Sequence, residues 1–532
     1  MQKIVLLGDE AIAQGAVDAG LSAVYAYPGT PSTEITEYIL RSKEAKNGGI
    51  VASWTTNEKT SMEMAIGTSY AGKRALVTMK HVGLNVAADA FMNAAITGVN
   101  GGIVVVSADD PSMHSSQNEQ DSRYYGKFAQ IPILEPVNQQ DAYDMMSYAF
   151  EMSERLNVPV LIRITTRLAH SRAGVVLGEK TPQNELKLPE NKRQFVLLPG
   201  IARVQYKSLL ANQPLFEKES EEKGYNKLYE GKDKSLGVIA TGIAYNYLME
   251  NFTEGIDFPV LKIAQYPMPI KMLKKLYDSV DEVLVLEDGY PLVEEQLKGY
   301  LNLGKPVHGR LDGALPRDGE LNPNLVAKAF GHEIAEQFDT PEVVTQRPPA
   351  LCAGCPHTDS YTALNVVMEY FGEGRVFSDI GCYTLAALEP LESINSCVDM
   401  GASITMAKGA AEAGLVPSVA VIGDSTFTHS GLTGLLDCVN AKAPVTILIL
   451  DNGTTGMTGG QTSQATGKIE DICMGLGVEK EHVRVINPIK KNHEENVKVM
   501  REEMDYNGVS VVIPRRECII TLGARIRANK KK

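Results

Sequence analysis

The chain has 532 residues and a mass of 57.8 kDa, enough for roughly three to four domains at about 150 residues each. Its 44% hydrophobic and 22% charged composition sets aside disordered, collagen-like and low-complexity classes. With 52 basic against 65 acidic residues the net charge is −13, and no basic run stands out apart from Lys530-Lys531-Lys532, so nucleic acid is not an expected ligand.

At the amino terminus only four apolar residues, Ile4 to Leu7, precede Gly8-Asp9-Glu10, too few for a secretory core. The longest apolar runs, such as 102–106 and 445–450, fall far short of the roughly 20 residues of a membrane span, so a soluble, cytoplasmic chain with no membrane partner is expected. Strand-like runs at 23–27, 49–52, 74–79, 102–107 and 158–163 alternate with helical patterns at 33–41, 58–70, 84–99 and 141–154. That alternation predicts a parallel doubly wound α/β domain over 1–170. From 171 to 234 the text turns polar and irregular, as in a linker wrapping between domains. A shorter alternation of strands (236–240, 259–262, 283–286) and helices (244–250, 270–277, 292–300) predicts a smaller α/β domain over 235–345, with a connector over 330–349. A third α/β unit fills 350–532 and is like the first in kind.

The third unit carries the strongest chemical signal. The run 419–422 ends in Gly423-Asp424-Ser425, and 25 residues further on Asp451-Asn452 follows the run 445–450. Two strands thus deliver a carboxylate and an amide oxygen to the carboxyl edge of one sheet, where open α/β sheets bind ligands. Hard oxygen ligands of this kind, with a backbone carbonyl, suit a Mg²⁺ that completes its shell with diphosphate oxygens and water. Each segment taken singly is also an ordinary turn. In the first unit Glu58 opens a helix after 51–54; an acid there also merely complements the helix dipole.

Together, Gly423-Asp424-Ser425 and Asn452 resemble the thiamine diphosphate signature, with Ser425 in place of the usual glycine. Asn57-Glu58-Lys59 resembles the pyrimidine-binding domain of the 2-oxoacid:ferredoxin oxidoreductases, in which a glutamate hydrogen-bonds the aminopyrimidine ring. Tyr27-Pro28-Gly29-Thr30-Pro31-Ser32 and Met457-Thr458-Gly459-Gly460-Gln461 are similar to further segments of that family. More narrowly, 78–85, 120–124, Cys355-Pro356-His357, 379–384 and 423–431 resemble the alpha subunits of its indolepyruvate branch, in order over roughly 1–525. The resemblance implies two thiamine-diphosphate-binding-type parallel-sheet domains plus a smaller α/β domain like the carboxy-terminal domain of transketolase. It implies Glu58 as the catalytic acid, Gly423, Asp424, Ser425, Asn452, Thr454, Thr458, Gly459 and His357 at the cofactor, and Asp424, Asn452 and Thr454 on Mg²⁺. For the substrate carboxylate, Thr30 follows from the Tyr-Pro-x-Thr-Pro segment. Arg123 is chosen as a planar bidentate donor, with a surface ion pair as its alternative, and Lys80 and His81 as neighbours on the same sheet edge.

Seven cysteines all lie between Cys352 and Cys518, which suits a thiol-bound cofactor in a reducing compartment. Cys352 and Cys355 have CxxC spacing; zinc and a redox disulfide are the competing readings. In the resembled family a CxxC, a Cys after Asp-Ile-Gly and a late Cys hold a [4Fe–4S] cluster, which selects Cys352, Cys355, Cys382 and Cys518. Cys397, Cys438 and Cys473 are expected to be buried small residues. The two Cys-rich runs that commonly end such alpha subunits do not occur up to Lys532, so one cluster, a separate ferredoxin and a smaller beta subunit in an (αβ)2 hetero-oligomer are expected. The implied reaction is oxidative decarboxylation of an aryl 2-oxoacid with coenzyme A. A non-oxidative thiamine decarboxylase or synthase, or an electron-transfer subunit without catalysis, are the alternatives.

Overall fold

A computed structural model describes residues 3–191, 193–299, 304–334, 341, 343–345 and 350–530. The tail lysines Lys531 and Lys532, the helix-end residue Tyr300 and Arg347-Pro348-Pro349 of the expected connector lie outside the described residues. The chain divides into two compact units, 1–339 and 340–532.

In the first unit the runs of Val, Ile, Ala and Leu become six parallel strands, fully or nearly fully buried in the middle of the sheet. Their spatial order is Val51–Trp54, Ala23–Ala26, Ala75–Lys80, Ile103–Asp109, Val160–Thr165, Ile133–Leu134. Numbered by appearance, that is 2-1-3-4-6-5, so the strand order reverses between Ala23–Ala26 and Ala75–Lys80. A seventh, antiparallel strand, Gln265–Tyr266, caps the Ile133–Leu134 edge. It is contributed by the smaller α/β layer, a five-stranded sheet of order Val307–His308, Glu282–Leu286, Leu236–Thr241, Val260–Ile263, Lys227–Tyr229. Both layers share one continuous hydrophobic core.

The stretch 171–234 is not the irregular linker its composition suggests. Lys3–Leu7 and Arg172–Val176 form an antiparallel ribbon, and Pro199–Glu222 is a 24-residue helix with proline in its first turn and Pro214 inside. Its face is polar because only Leu209, Phe216 and Ser220 are buried. The rest is tied down by side chains, with Arg155 donating to both carboxylate oxygens of Glu219 at 2.8 and 2.9 Å.

Arg123 and Arg163, both fully buried, join the two layers of this unit. Arg163 donates to Asp109 at 2.7 Å and to Glu135, while Arg123 donates to Asp121 at 2.6 Å, Glu287 at 3.0 Å and Tyr266 at 3.1 Å. Burial pushes the Glu287 carboxyl up to about 7, against the pull of Arg123.

The second unit repeats the plan of the first sheet. Its six parallel strands run Ser396–Cys397, Val376–Ser378, Ser418–Gly423, Val445–Leu450, Ser510–Pro514, Val483–Ile486, again 2-1-3-4-6-5. The reversal here falls between Val376–Ser378 and Ser418–Gly423, and one hydrophobic cluster covers each face. No helix among the described residues is long and apolar enough to cross a membrane.

Candidate functional site

In each large sheet the point where strand order reverses leaves a crevice at the carboxyl edge, because the connections on its two sides leave in opposite directions. In the second unit that crevice is lined by Asp379, following Val376–Ser378, and Asp424, following Ser418–Gly423. Asp424 is 2% exposed, and its Oδ2 is buried with no hydrogen-bond donor. Burial, reinforced by the Asp451 carboxylate, pushes its carboxyl up to about 7 even though the Ser425 and Gly453 N–H groups and the Ser463 hydroxyl oppose the shift. An orphaned buried carboxylate oxygen is the kind of vacancy in bonding that a cation fills.

Asn452 is buried beside it. Its Oδ1 accepts from the Thr454 N–H at 3.0 Å and its Nδ2 donates to His357 Nε2 at 3.0 Å. Burial lowers His357 to about 4, so the ring is neutral and able to accept that bond. Thr454–Thr455 and Gln461–Thr462 form a two-residue ladder that fixes the loop, helped by Thr454 Oγ1 donating to the Gln461 carbonyl at 3.0 Å and Thr458 Oγ1 to Gln461 Oε1 at 2.6 Å. Gly459, with φ at 114°, makes the turn between them. The serine at 425 has a local reason: its hydroxyl is 2.9 Å from Thr455 Oγ1, tying the two loops together.

Asp379 and Tyr383 lie in the motif 379–384, to which the sequence gives no individual roles. The Asp379 carboxylate accepts from the Tyr383 hydroxyl, from Ser403 Oγ at 2.6 Å and from the Gly401 N–H at 3.2 Å. The Tyr383 ring then lies against Gly381 and Gly423, where any Cβ would be within 2.2 and 2.6 Å of it. The same signal that marked Asp424, an acid directly after a buried strand, was present at Asp379.

The cysteines sort into two groups. The Cys382 thiol is pushed up to about 11, first by burial and then by the neighbouring Cys355, Cys518 and Cys352 sulfurs, and Cys355 is raised by burial and by Cys352 and Cys518. Cys352, Cys355, Cys382 and Cys518 therefore converge, although 136 residues separate the last two. Cys518 N–H donates to the Asn452 carbonyl at 3.1 Å, and a Cβ on Gly456 would be 2.9 Å from Cys382 Sγ, so the thiols flank the Asn452 loop. Among the described residues no three of them bring ligand atoms within 4.8 Å of one another. Four thiolates on one zinc at about 2.3 Å would be about 3.8 Å apart and would form such a group, so the four thiols are not set for a single zinc. Cys438 and Cys473 are buried in the core as expected, but Cys397 is exposed on the two-residue edge strand Ser396–Cys397.

The crevice of the first unit's sheet holds Thr30 and Lys80. A Cβ on Gly29 would be 3.3 Å from Lys80 Cβ, and Lys80 Nζ donates to the Ser115 carbonyl at 2.7 Å. Burial lowers Lys80 to about 8, with Asp110 opposing. His81 Nε2 is 3.1 Å from the Asn118 carbonyl. Glu58, 5% exposed, is the first residue of helix Glu58–Tyr70, whose N-cap Asn57 accepts from the Thr60 N–H at 2.9 Å. Its carboxylate lies over Gly83 in the first turn of helix His81–Thr97, so close that a Cβ there would be 2.6 Å from Glu58 Oε1. Arg123 does not belong to this edge group. Its guanidinium is enclosed by Asp121, Glu287, Thr241, Tyr266 and the Tyr290 carbonyl, which leaves no donor for a substrate; sequence could not show that these partners, up to 167 residues away, surround it.

Residues 14–219 match the family described as pyruvate flavodoxin/ferredoxin oxidoreductase, thiamine diP-bdg, and 379–512 match the thiamine pyrophosphate enzyme, C-terminal TPP binding domain. The chain is 39% identical to the indolepyruvate oxidoreductase subunit IorA of Archaeoglobus fulgidus, an alignment covering 100% of this chain and 89% of that protein. This chain belongs to the family of those IorA subunits. The Methanothermobacter thermautotrophicus member is 37% identical, with 98% of this chain and 88% of that one covered. Family membership makes the chain an oxidoreductase subunit with thiamine-diphosphate-binding domains. A solved 2-oxoglutarate:ferredoxin oxidoreductase from Magnetococcus marinus shares the fold, with a TM-score of 0.51 at 16% identity over 62% of this chain and 65% of that chain.

Proposed function

We propose that the chain is the catalytic alpha subunit of an enzyme that oxidatively decarboxylates aryl 2-oxoacids of the indolepyruvate type to the acyl-CoA and passes the electrons to ferredoxin. The observation that carries this reading is the convergence of four cysteines on the loop that also presents Asn452. A non-oxidative thiamine enzyme has no use for an electron acceptor there, and a bare electron-transfer subunit has no use for the orphaned Asp424 oxygen. The names of the relatives, indolepyruvate oxidoreductase subunits, support the substrate class.

In this reading Asp424, the Asn452 side chain and the Thr454 carbonyl hold Mg²⁺ against the diphosphate, and the glycine-rich loop through Thr458 and Gly459 lets backbone approach it. Bound thiamine diphosphate supplies the electron sink that a 2-oxoacid needs in order to lose CO₂. His357, kept neutral by burial, orients Asn452. Glu58, shielded from water, holds and moves a proton at the aminopyrimidine ring. Lys80, with Thr30 and His81 near it, pairs with the substrate carboxylate. Cys352, Cys355, Cys382 and Cys518 hold one [4Fe–4S] cluster. The domain boundaries 1–170, 235–345 and 350–532, a smaller beta subunit, a separate ferredoxin, an (αβ)2 assembly and a cytoplasmic location complete the proposal.

Anaerobic assay of the chain with its partner subunit, coenzyme A and ferredoxin against a panel of 2-oxoacids tests it. Aryl 2-oxoacids should support ferredoxin reduction and acyl-CoA formation. Aldehyde as sole product with no ferredoxin reduced, from any 2-oxoacid, would establish the non-oxidative alternative.

A further inference from the structure

Away from the residues assigned above, three elements of the first unit bring ligand-type side chains together. Asp9 lies in the first turn of helix Gly8–Asp18, Glu34 in the first turn of helix Thr33–Arg41, and His170 ends helix Thr166–His170. One ligand atom from each lies within 4.8 Å of the others. Asp9 is completely buried, yet neither of its carboxylate oxygens meets a hydrogen-bond donor. Glu34 Oε2 is likewise buried without a donor, and His170 Nε2 is 3.7 Å from it, beyond hydrogen-bond reach. Glu10, next in sequence, is already engaged by the Leu7 N–H at 2.8 Å. Among the described residues no lysine or arginine forms an ion pair with Asp9.

We infer that Asp9, Glu34 and His170 form a site for a divalent transition-metal ion. Two carboxylates and an imidazole are the mixed oxygen and nitrogen donors that Mn²⁺, Fe²⁺ or Zn²⁺ accept, and a divalent charge neutralises both acids in a place where bare carboxylates are costly. Asp9 forms the floor, while Glu34 and His170, whose side chains are 39% and 36% exposed, leave an entry path and room for water ligands. The ion would pin the first turn of helix Thr33–Arg41, whose Thr33 Oγ1 accepts from the Gly29 N–H at 3.1 Å, and so brace the loop that carries Thr30. This role is structural and independent of the Mg²⁺ at Asp424.

The test uses the full chain with its cofactors, held in millimolar Mg²⁺ to saturate the diphosphate site and dialysed against micromolar Mn²⁺. Bound Mn²⁺ is counted by electron paramagnetic resonance and elemental analysis. Wild type should hold one Mn²⁺ more than either Glu34→Gln or His170→Ala, and Mn²⁺ should raise the thermal midpoint of wild type alone. Equal Mn²⁺ in wild type and both folded variants would overturn the site. So would a chain that takes up no Mn²⁺ and in which Asp9→Asn, by offering Glu34 an N–H donor, leaves the midpoint unchanged or higher, since Asp9 and Glu34 would then share a proton instead.

Discussion

Asp424 waits at the end of a buried strand with one oxygen that no donor reaches and a carboxyl pushed up to about 7, so its charge near neutral pH is met by a proton or by a cation. Asp424→Ala should therefore weaken Mg²⁺-dependent thiamine diphosphate binding by at least the roughly 10–100-fold that loss of an outer-shell partner costs a metal site. Glu58→Gln should keep the cofactor and lose turnover by about 10²–10⁴-fold, the range of a proton-transfer role. Calorimetry and single-turnover assays separate the two, and a Glu58→Gln enzyme with unchanged turnover would reduce that residue to a helix-dipole partner. Lys80 gives a pH test. Its burial-lowered value of about 8 means that the ammonium form prevails below that pH and is lost above it. If it binds the substrate carboxylate, kcat/KM should fall about tenfold per pH unit on the alkaline side. Lys80→Arg, charged throughout, should abolish that limb; a limb that persists in this variant would assign it to another group.

The loops and helices show what sequence can and cannot carry. Strand ends were legible because buried runs announce them, and with them came Asp424, Asn452 and Lys80, whereas Thr30 came from the Tyr-Pro-x-Thr-Pro resemblance. Convergence of Cys518 with the CxxC was not legible from spacing, because a loop beyond the sixth strand brings it back beside Asn452. Cys518→Ala should lower iron to well below about four per chain, whereas Cys397→Ala, on an exposed edge, should not. Iron analysis that reversed those two outcomes would move the fourth ligand to Cys397. Helix Pro199–Glu222 was illegible for a different reason: it buries only three side chains, so no apolar period marks it, and Pro214 reads as a breaker although it is carried inside the helix.

At the scale of the molecule, one strand order is used twice, and each copy places its polar side chains where that order reverses. The alternation of runs revealed both sheets, but not the buried ion network that joins the first sheet to the smaller layer, because polar residues in a core look like surface until their partners are known. Arg163→Met would take the guanidinium from Asp109 and Glu135, leaving Asp109 only the Ser122 N–H and hydroxyl and Glu135 the Tyr266 hydroxyl and the more distant Arg123, and should cost about 3–5 kcal/mol, the penalty of breaking a buried pair from one side. Chemical denaturation checks this; a change below about 1 kcal/mol would mean that water reaches the network.

The strand Gln265–Tyr266 also sets a schedule for synthesis. It caps the edge at Ile133–Leu134, but it leaves the ribosome about 100 residues after Thr165, the last residue of the parallel sheet (265 less 165). At about 5–20 residues per second that interval lasts on the order of 5–20 seconds, during which the Ile133–Leu134 edge of a formed sheet stays uncapped. The exposed edge is only two residues long, which limits what a neighbouring nascent chain can pair with. A slow codon run placed between the two would lengthen the interval, making the yield of soluble chain depend on the tempo of translation as well as on the sequence translated.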